Sequence, residues 1–260
     1  MTVAPAEIKA CCANAYSSAT ARWLLGASFH PGGAELTSRL ARALRVGSGD
    51  TVVDVASGPG TSALQLARET DCSVVGVDLS EASVAAATEA AAGAGLTERV
   101  RFVQGDAESL PVEDASVDGA LCECALCTFP DKEAAARELA RVLRPAARLA
   151  LSDMTADAER LPPELTSMQA WVACIADARP LEEIASLLER AGLAVEKTER
   201  HDAALATLLA RVDARLRAAR LLGASRFTDG IGSGRELVGA ARQALAEGAL
   251  GYGVIVARRT

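Results

Sequence analysis

From Thr51 onward, short apolar runs alternate with longer stretches in which apolar residues recur every three or four positions. Runs of the first kind, rich in β-branched residues, predict strands, and stretches of the second kind predict amphipathic helices. Most successive strands are separated by a helix, and such crossovers pair strands in parallel. The pattern therefore predicts an α/β fold, a doubly wound and mostly parallel sheet of seven strands.

The rhythm of the pattern divides the chain into three parts. Residues 1–48 are helical in pattern, with a break at "GASFHPGG", and predict an N-terminal helical cap. Residues 49–155 carry the strand–helix alternation and predict the ligand-binding core. Residues 156–260 hold two further strand patterns and long helical ones, so we expect them to complete the sheet and cover the substrate site.

Composition narrows the class of protein. Half of the 260 residues are hydrophobic, enough for one large domain, and the net charge of −7 without a basic stripe argues against a nucleic-acid partner. No apolar run is long enough to span a membrane, and the first residues lack a signal-peptide pattern. The seven cysteines are therefore expected to be reduced thiols of a cytoplasmic protein that has no membrane partner.

A glycine-rich turn and two acids follow three successive strands. Gly58 and Gly60 lie between the first strand and its helix, where the backbone can approach an anion at the helix N-terminus. Asp78 closes the second strand, where a carboxylate can accept ribose hydroxyls, and Asp106 closes the third, where an acid can accept an adenine amine. Each acid could instead cap a local turn. Three such features at one sheet edge favour a single nucleoside site.

The same stretches resemble a known family. D-x-x-S-G-P-G, V-D-L-S and G-D-A-x-x-L-P look like the first three motifs of class I S-adenosylmethionine-dependent methyltransferases, over about residues 45–155. The resemblance implies a Rossmann-like core with S-adenosylmethionine as cofactor. Ala146 and Ala147 replace that family's glycine pair in a helix–turn–strand segment far from the cofactor. The cofactor-binding residues that the resemblance implies are Asp54, Ser57, Gly58, Gly60, Thr61, Asp78, Leu79, Asp106 and Ala107.

The stretch "CECALCTFPDK" places three cysteines directly after the fourth strand. A structural zinc site would need further cysteine or histidine ligands at knuckle spacing, and none follow. Buried, inert thiols are the plain alternative, favoured for Cys72. Cys174 and Cys12 come from parts of the chain that are expected to reach the same edge of the sheet.

A narrower resemblance concerns these cysteines. The P-D-K segment and the tryptophan-containing segment before Cys174 are similar to the arsenite methyltransferases. It implies that Cys124 and Cys174 bind trivalent arsenic as substrate, that Cys12 is the nearest counterpart of a third ligand, and that Tyr16 lies near the methyl donor. The partners implied are arsenite or its thiol conjugate and reduced thiols such as glutathione or thioredoxin.

The chemistry of that substrate is coherent with the residues. Thiolates are the ligands that a soft centre prefers, and a lone pair on trivalent arsenic can attack a methyl group without losing a proton. No general base is therefore expected, and His30 and His201 lie outside the motifs. Glu123 is expected to be solvated. Two alternatives stay open: a methyltransferase of an organic small molecule (a quinone, a sterol-like compound or another natural product) with structural cysteines, and a non-catalytic sensor of thiophilic metal.

Overall fold

One seven-stranded sheet organises the chain in the computed structural model, which describes residues 4–26, 28–221 and 228–260. The strands follow the order β3-β2-β1-β4-β5-β7-β6, in which β7 runs antiparallel to both of its neighbours and the other pairs are parallel. The predicted fold class is confirmed. The strands are β1 (Thr51–Val55), β2 (Ser73–Asp78), β3 (Val100–Gln104), β4 (Val117–Glu123), β5 (Leu143–Ala156), β6 (Leu193–Arg200) and β7 (Leu250–Arg259).

Helices cover both faces of the sheet and its carboxyl edge. The N-terminal segment forms three of them, and the region after β5 contributes short helices before the long α9 and α10. Within the described ranges, no helix combines the length and apolar character that a bilayer span needs. The helices are α1 (Pro5–Ser17), α2 (Ala19–Leu25), α3 (Gly33–Leu44), α4 (Thr61–Thr70), α5 (Glu81–Gly93), α6 (Lys132–Val142), α7 (Met168–Val172), α8 (Leu181–Arg190), α9 (Asp202–Leu221) and α10 (Thr228–Ala246).

The core lies in two layers because the strands are buried on both faces. Val52 points to one apolar cluster and Val53 to the other, as period-two alternation requires. A strand buried on both sides reads as a continuous apolar run, as β1 does. On one face, α3 packs through Leu36, Leu40 and Leu44, which recur every four residues.

One sequence expectation about the framework is wrong. We expected a turn between the sixth helix and the fifth strand, but β5 begins at Leu143, directly after α6. Residues 144–147 are accommodated as an irregularity in the pairing, which passes from Val117 opposite Leu143 to Gly119 opposite Arg148. Ala146 takes a left-handed backbone conformation there, with a φ of 66°. A bulge absorbs the extra residues that a turn would otherwise hold.

Candidate functional site

A pocket opens where the carboxyl ends of the central parallel strands meet. The loop after β1, the acid at the end of β2 and the segment after β4 all line it. This is the edge at which doubly wound sheets bind ligands. The opposite wall is α1, which turns Lys9, Cys12, Ala13 and Tyr16 toward the pocket at helical spacing.

The glycine turn has the conformation that a close ligand approach requires. Gly58 and Gly60 have φ values of 53° and 80°, which side-chain-bearing residues rarely adopt. A Cβ added at Gly60 would lie 2.5 Å from Cζ of Phe102. At Gly58 the added Cβ would meet no described atom within 4 Å. The two glycines therefore serve different purposes, packing at Gly60 and access to the pocket at Gly58.

Alanine substitutions should separate these purposes. Gly60→Ala should lower the free energy of unfolding by about 1–3 kcal/mol, because it overpacks the turn against Phe102. Gly58→Ala should cost stability only through backbone strain, on the order of 1–2 kcal/mol, but should weaken cofactor binding, since its methyl group would project into the pocket. Urea unfolding and calorimetric titration measure the two effects. An equal loss of cofactor affinity in both variants would contradict the assignment of Gly60 to packing and of Gly58 to access.

Two buried polar atoms at the start of the turn have no protein partner in the described structure, namely Oδ2 of Asp54 and Oγ of Ser57. Burial raises the pKa of Asp54 well above its usual value, and the nearby carboxylates of Glu123 and Asp78 raise it further. Both residues line the pocket. A buried polar atom without a partner is costly, so this arrangement fits a ligand that presents a hydrogen-bond donor, preferably a cation.

The two acids predicted at strand ends are placed differently. Asp78 ends β2, and its carboxylate accepts hydrogen bonds from the backbone N–H groups of Gly58 and Ser80, each at 2.8 Å. Asp106 lies two residues beyond β3 and accepts from Lys9 Nζ at 2.7 Å and from the backbone N–H of Glu108 at 3.0 Å. Each carboxylate thus keeps lone pairs for a ligand, and they differ in that Asp78 holds only local backbone groups whereas Asp106 is bonded to α1.

The lysine that reaches Asp106 was not identified from the sequence. Lys9 Nζ also pairs with Glu108 Oε2 at 2.5 Å, so one ammonium group ties α1 to the loop after β3. The neighbouring Leu79 and Ala107 line the pocket as the motifs predicted, and so does Thr61. Lys9 stands in the helical pattern of α1 without any motif around it, so the sequence does not indicate that it pairs with acids about a hundred residues away.

The cysteines from two separate segments meet behind this pocket. The thiol of Cys174, which follows α7, donates to the carbonyl of Cys124 in the loop after β4 at 3.6 Å, and the Cys124 and Cys127 thiols are its neighbours. The Tyr16 hydroxyl lies 2.9 Å from Sγ of Cys174 and donates to the carbonyl of Val172 at 2.7 Å. Cys124 and Cys12 line the pocket itself, while Cys174 is only 2% exposed.

The pKa values of the clustered cysteines are shifted in opposite directions. Hydrogen bonds with the Cys124 and Cys127 thiols hold the pKa of Cys174 well below its usual value, and the Tyr16 hydroxyl lowers it further. Burial raises the pKa of Cys12 to about 12, with an added contribution from the nearby Cys174. Burial also raises the pKa of Cys127. Cys174 is therefore the sulfur of the cluster that loses its proton most readily.

Backbone strain marks the same two positions. Cys124 and Cys174 have φ values of 54° and 65°, in the left-handed region that costs a side-chain-bearing residue free energy. Such strain tends to collect at functional sites. No three His, Cys, Asp or Glu side chains of the described residues are arranged to hold a metal ion. The thiols of the described residues are therefore not preassembled around one centre.

The expectation that Glu123 is solvated is wrong, and His30, which lies outside the motifs, lines the pocket. Glu123 is buried, with 4% of its side chain exposed, because it is the last residue of β4 and accepts from Thr37 Oγ1 at 3.1 Å. His30 lines the pocket, with Nε2 lying 3.6 Å from Glu123 Oε2 and 2.9 Å from Ser28 Oγ. Its Nδ1 donates to the Pro31 carbonyl, which leaves the lone pair on Nε2. His201, on the surface, contacts Glu199.

Comparisons with known proteins agree with this geometry. Residues 47–202 match a family model described as a methyltransferase domain. The chain is 36% identical to the 27-O-demethylrifamycin SV methyltransferase of Amycolatopsis mediterranei (strain S699), over 63% of this chain and 61% of that protein. It is 32% identical to the arsenite methyltransferase of Halobacterium salinarum, over 55% of this chain and 37% of that protein. The chain thus spans about three fifths, or less, of the length of these relatives.

The solved structures add the fold. Phosphoethanolamine N-methyltransferase 2 of Haemonchus contortus, in complex with S-adenosyl-L-methionine, superposes with a TM-score of 0.81 at 18% identity, covering 99% of this chain and 60% of that one. At such low identity the likeness concerns the architecture alone, since one fold supports many activities.

Proposed function

The chain belongs to the methyltransferase-domain family, and from this premise we propose that it transfers a methyl group from S-adenosylmethionine to trivalent arsenic held by cysteine thiols. The observation that carries the arsenic assignment is the meeting of Cys124 and Cys174, from two distant segments, behind the pocket. The arsenite methyltransferase among the relatives supports the same acceptor.

The pocket suits the cofactor through its unpartnered atoms. Bound S-adenosylmethionine supplies a methyl group on a positively charged sulfonium, which an electron pair of the acceptor can take. Asp54 and Ser57 would accept from its ammonium group, and Asp78 from its ribose hydroxyls. The remaining residues of the proposed cofactor site are Gly58, Thr61, Leu79, Asp106 and Ala107, while Gly60, which does not line the pocket, shapes the turn against Phe102.

The charge of the pocket favours a cationic cofactor and a neutral acceptor. Carboxylates outnumber ammonium groups along the described lining, where Lys9 is already paired with Asp106. Inside a partly buried pocket these charges are weakly screened, so they attract a sulfonium and repel anions. Arsenite is uncharged near neutral pH, whereas arsenate is an anion. We therefore expect trivalent arsenic to be accepted and arsenate to be refused.

The thiols provide the soft ligands that arsenic requires. The lowered pKa of Cys174 favours its binding as a thiolate, and Cys124 would lose its proton as arsenic binds. Cys12 on α1, which lines the pocket, is the candidate for a third protein ligand, and Tyr16 holds the Cys174 sulfur in place. A thiol such as glutathione, carried in with arsenite, could occupy that third position instead.

The reaction balances without a general base. The arsenic lone pair forms the new arsenic–carbon bond, the sulfur–carbon bond of the donor breaks, and its electron pair stays on sulfur as S-adenosylhomocysteine. Arsenic is thereby oxidised from the trivalent to the pentavalent state, and external reduced thiols such as glutathione or thioredoxin return it. The contribution of the protein is proximity and alignment of the two reacting atoms.

A turnover assay tests this function. The purified protein is mixed with S-adenosylmethionine and glutathione-complexed arsenite, and the products are separated by arsenic speciation. Methylated arsenicals should appear together with one S-adenosylhomocysteine for each methyl group transferred. Tight arsenite binding without product would support the sensor alternative and would overturn the enzymatic one.

A second candidate acceptor is a hydroxyl group of an organic small molecule. The observation in its favour is the buried pair of His30 and Glu123 in the same pocket, in which Nε2 of the imidazole is an acceptor that lies 2.9 Å from Ser28 Oγ. That nitrogen could remove the proton of a hydroxyl as its oxygen takes the methyl group. The rifamycin-type relative supports this class of acceptor.

His30→Ala distinguishes the two candidates. Since trivalent arsenic has no proton to lose, the variant should keep arsenite turnover within a few-fold of the unaltered protein. If hydroxyl methylation is the real activity, the variant should lose roughly 100- to 10,000-fold, as general-base removal does. Rates with arsenite and with a panel of phenolic acceptors give the answer. His201→Ala, which changes a surface imidazole, is the matched control.

A further inference from the structure

The two cysteines of the proposed acceptor site lie on segments without regular secondary structure. Cys124 follows β4, and Cys174 follows the short α7. Both have left-handed φ values, so their local backbone preferences do not hold them where they are. The distance between the two sulfurs must therefore be fixed by contacts that connect the segments.

One buried ammonium group makes that connection. Lys132 is the first residue of α6, and only 8% of its side chain is exposed. Its Nζ donates to the carbonyls of Phe129 at 3.0 Å and Cys127 at 3.4 Å, both in the cysteine loop after β4. It also pairs with Asp177 Oδ2, three residues beyond Cys174. A lysine has three N–H donors, and here each has an acceptor, two on one segment and one on the other.

The two segments that Lys132 connects have further contacts of their own. Asp177 receives a second ion pair from Arg179 at 3.1 Å. On the other segment, Asp153 of β5 accepts from the backbone N–H of Cys127 at 3.0 Å. The carbonyl of Arg179 accepts from the backbone N–H of Ala156 in β5 at 3.2 Å. Each segment is thus fixed to the framework, and Lys132 fixes them to each other. Removing one partner of a buried ion pair leaves the other uncompensated, so the link should not be replaceable by water at little cost.

We propose that Lys132, through its ion pair with Asp177, is the positioning residue that sets the separation of the Cys124 and Cys174 sulfurs. The proposal rests on the proposed function in one respect, that these two thiols bind the acceptor. Lys132 touches neither cofactor nor acceptor and acts through the two backbone segments. Its loss should therefore weaken binding of a dithiol-bridging ligand while leaving cofactor affinity unchanged.

The test uses phenylarsine oxide, a small arsenical that bridges two neighbouring thiols. Lys132→Met and Asp177→Asn should each lower the affinity for phenylarsine oxide by about 10- to 100-fold. This is the range for residues that orient the ligand-binding side chains without touching the ligand. Lys132→Arg should recover part of it. Mass spectrometry of the labelled protein should show Cys124 and Cys174 bridged in the unaltered chain and singly modified in the variants. The Kd for S-adenosylmethionine should stay the same.

Two further variants show whether a loss of phenylarsine oxide binding is caused by unfolding. Lys197→Met makes the same chemical change at an exposed lysine paired with Glu199, and it should bind phenylarsine oxide normally. The double variant Lys132→Met with Asp177→Leu removes both charges and keeps the volume packed. It should unfold cooperatively near the temperature of the unaltered chain and still fail to bridge the thiols. Bridging at full affinity in the double variant would overturn the proposal.

The result also separates this inference from the proposed function. If arsenite is methylated normally by the Lys132→Met variant and phenylarsine oxide binds as before, the positioning role is wrong and the function stands. If the unaltered protein never methylates arsenite, yet thiol bridging depends on Lys132, the function is wrong and the positioning role stands.

Discussion

Cys174→Ser should abolish arsenite methylation and leave S-adenosylmethionine binding unchanged. Cys174 is the sulfur whose pKa is lowered by the Cys124 and Cys127 thiols and by the Tyr16 hydroxyl. A serine hydroxyl is a hard ligand that stays protonated near neutral pH, so it cannot replace a soft thiolate on arsenic. The loss of arsenite methylation should exceed the roughly 10- to 100-fold loss seen at metal sites when a residue that only contacts a ligand residue is changed.

The measurement is kcat/KM for methylated arsenic, with calorimetric titration of S-adenosylmethionine in parallel. Cys124→Ser should behave like Cys174→Ser, because each removes one of the two proposed ligands. Cys11→Ser is the control, since it makes the same change at a half-buried thiol of α1 beside the proposed ligand Cys12. Unchanged arsenic methylation in both active-site variants would end the thiol-ligand assignment and leave the hydroxyl acceptor as the better candidate.

Asp78→Ala should raise the Kd for S-adenosylmethionine and S-adenosylhomocysteine alike, by roughly 100-fold or more. The carboxylate is expected to accept two ribose hydroxyls, and hydrogen bonds to charged groups contribute about 1.5–3 kcal/mol each. The substitution also frees the backbone N–H groups of Gly58 and Ser80, which the carboxylate now holds. The glycine turn should lose part of its fixed shape for that reason.

Asp78→Asn sharpens this experiment, because an amide keeps one acceptor oxygen and most of the volume. We expect a smaller loss of affinity than for alanine, again equal for the two cofactor forms, since the ribose is common to both. Asp114→Ala removes an exposed carboxylate paired with Arg141, and it should bind the cofactor normally. An effect on S-adenosylmethionine alone would place Asp78 near the sulfonium instead of the ribose.

The framework could be predicted from the sequence because its signals are local. Apolar runs mark the strands, and the glycine turn and Asp78 occur where a strand ends. The position of β7 between β5 and β6 depends on contacts between distant segments, and a short apolar run does not encode which neighbour it pairs with. The continuous path from α6 into β5 was missed because Ala146 adopts a conformation that alanine rarely favours.

The site was predicted only in part, and for a related reason. Cys124 and Cys174 were found because they stand in recognisable segments. Glu123 was judged by its polarity, whereas its burial follows from its place as the last residue of a central strand. His30 and Lys9 lie in stretches without a motif, and their partners are about a hundred residues away in the chain. Only the assembled fold brings such pairs together.

The placement of α1 and of the two cysteine segments, all outside the strand framework, has a consequence for redesign. A chimera that carries these three segments from a homologous enzyme should take on the acceptor preference of that enzyme. Its strand framework, with the glycine turn and Asp78, should still bind the methyl donor. Related enzymes could diverge in the same way, because changes in these three segments would alter the methyl acceptor while the cofactor site stays the same.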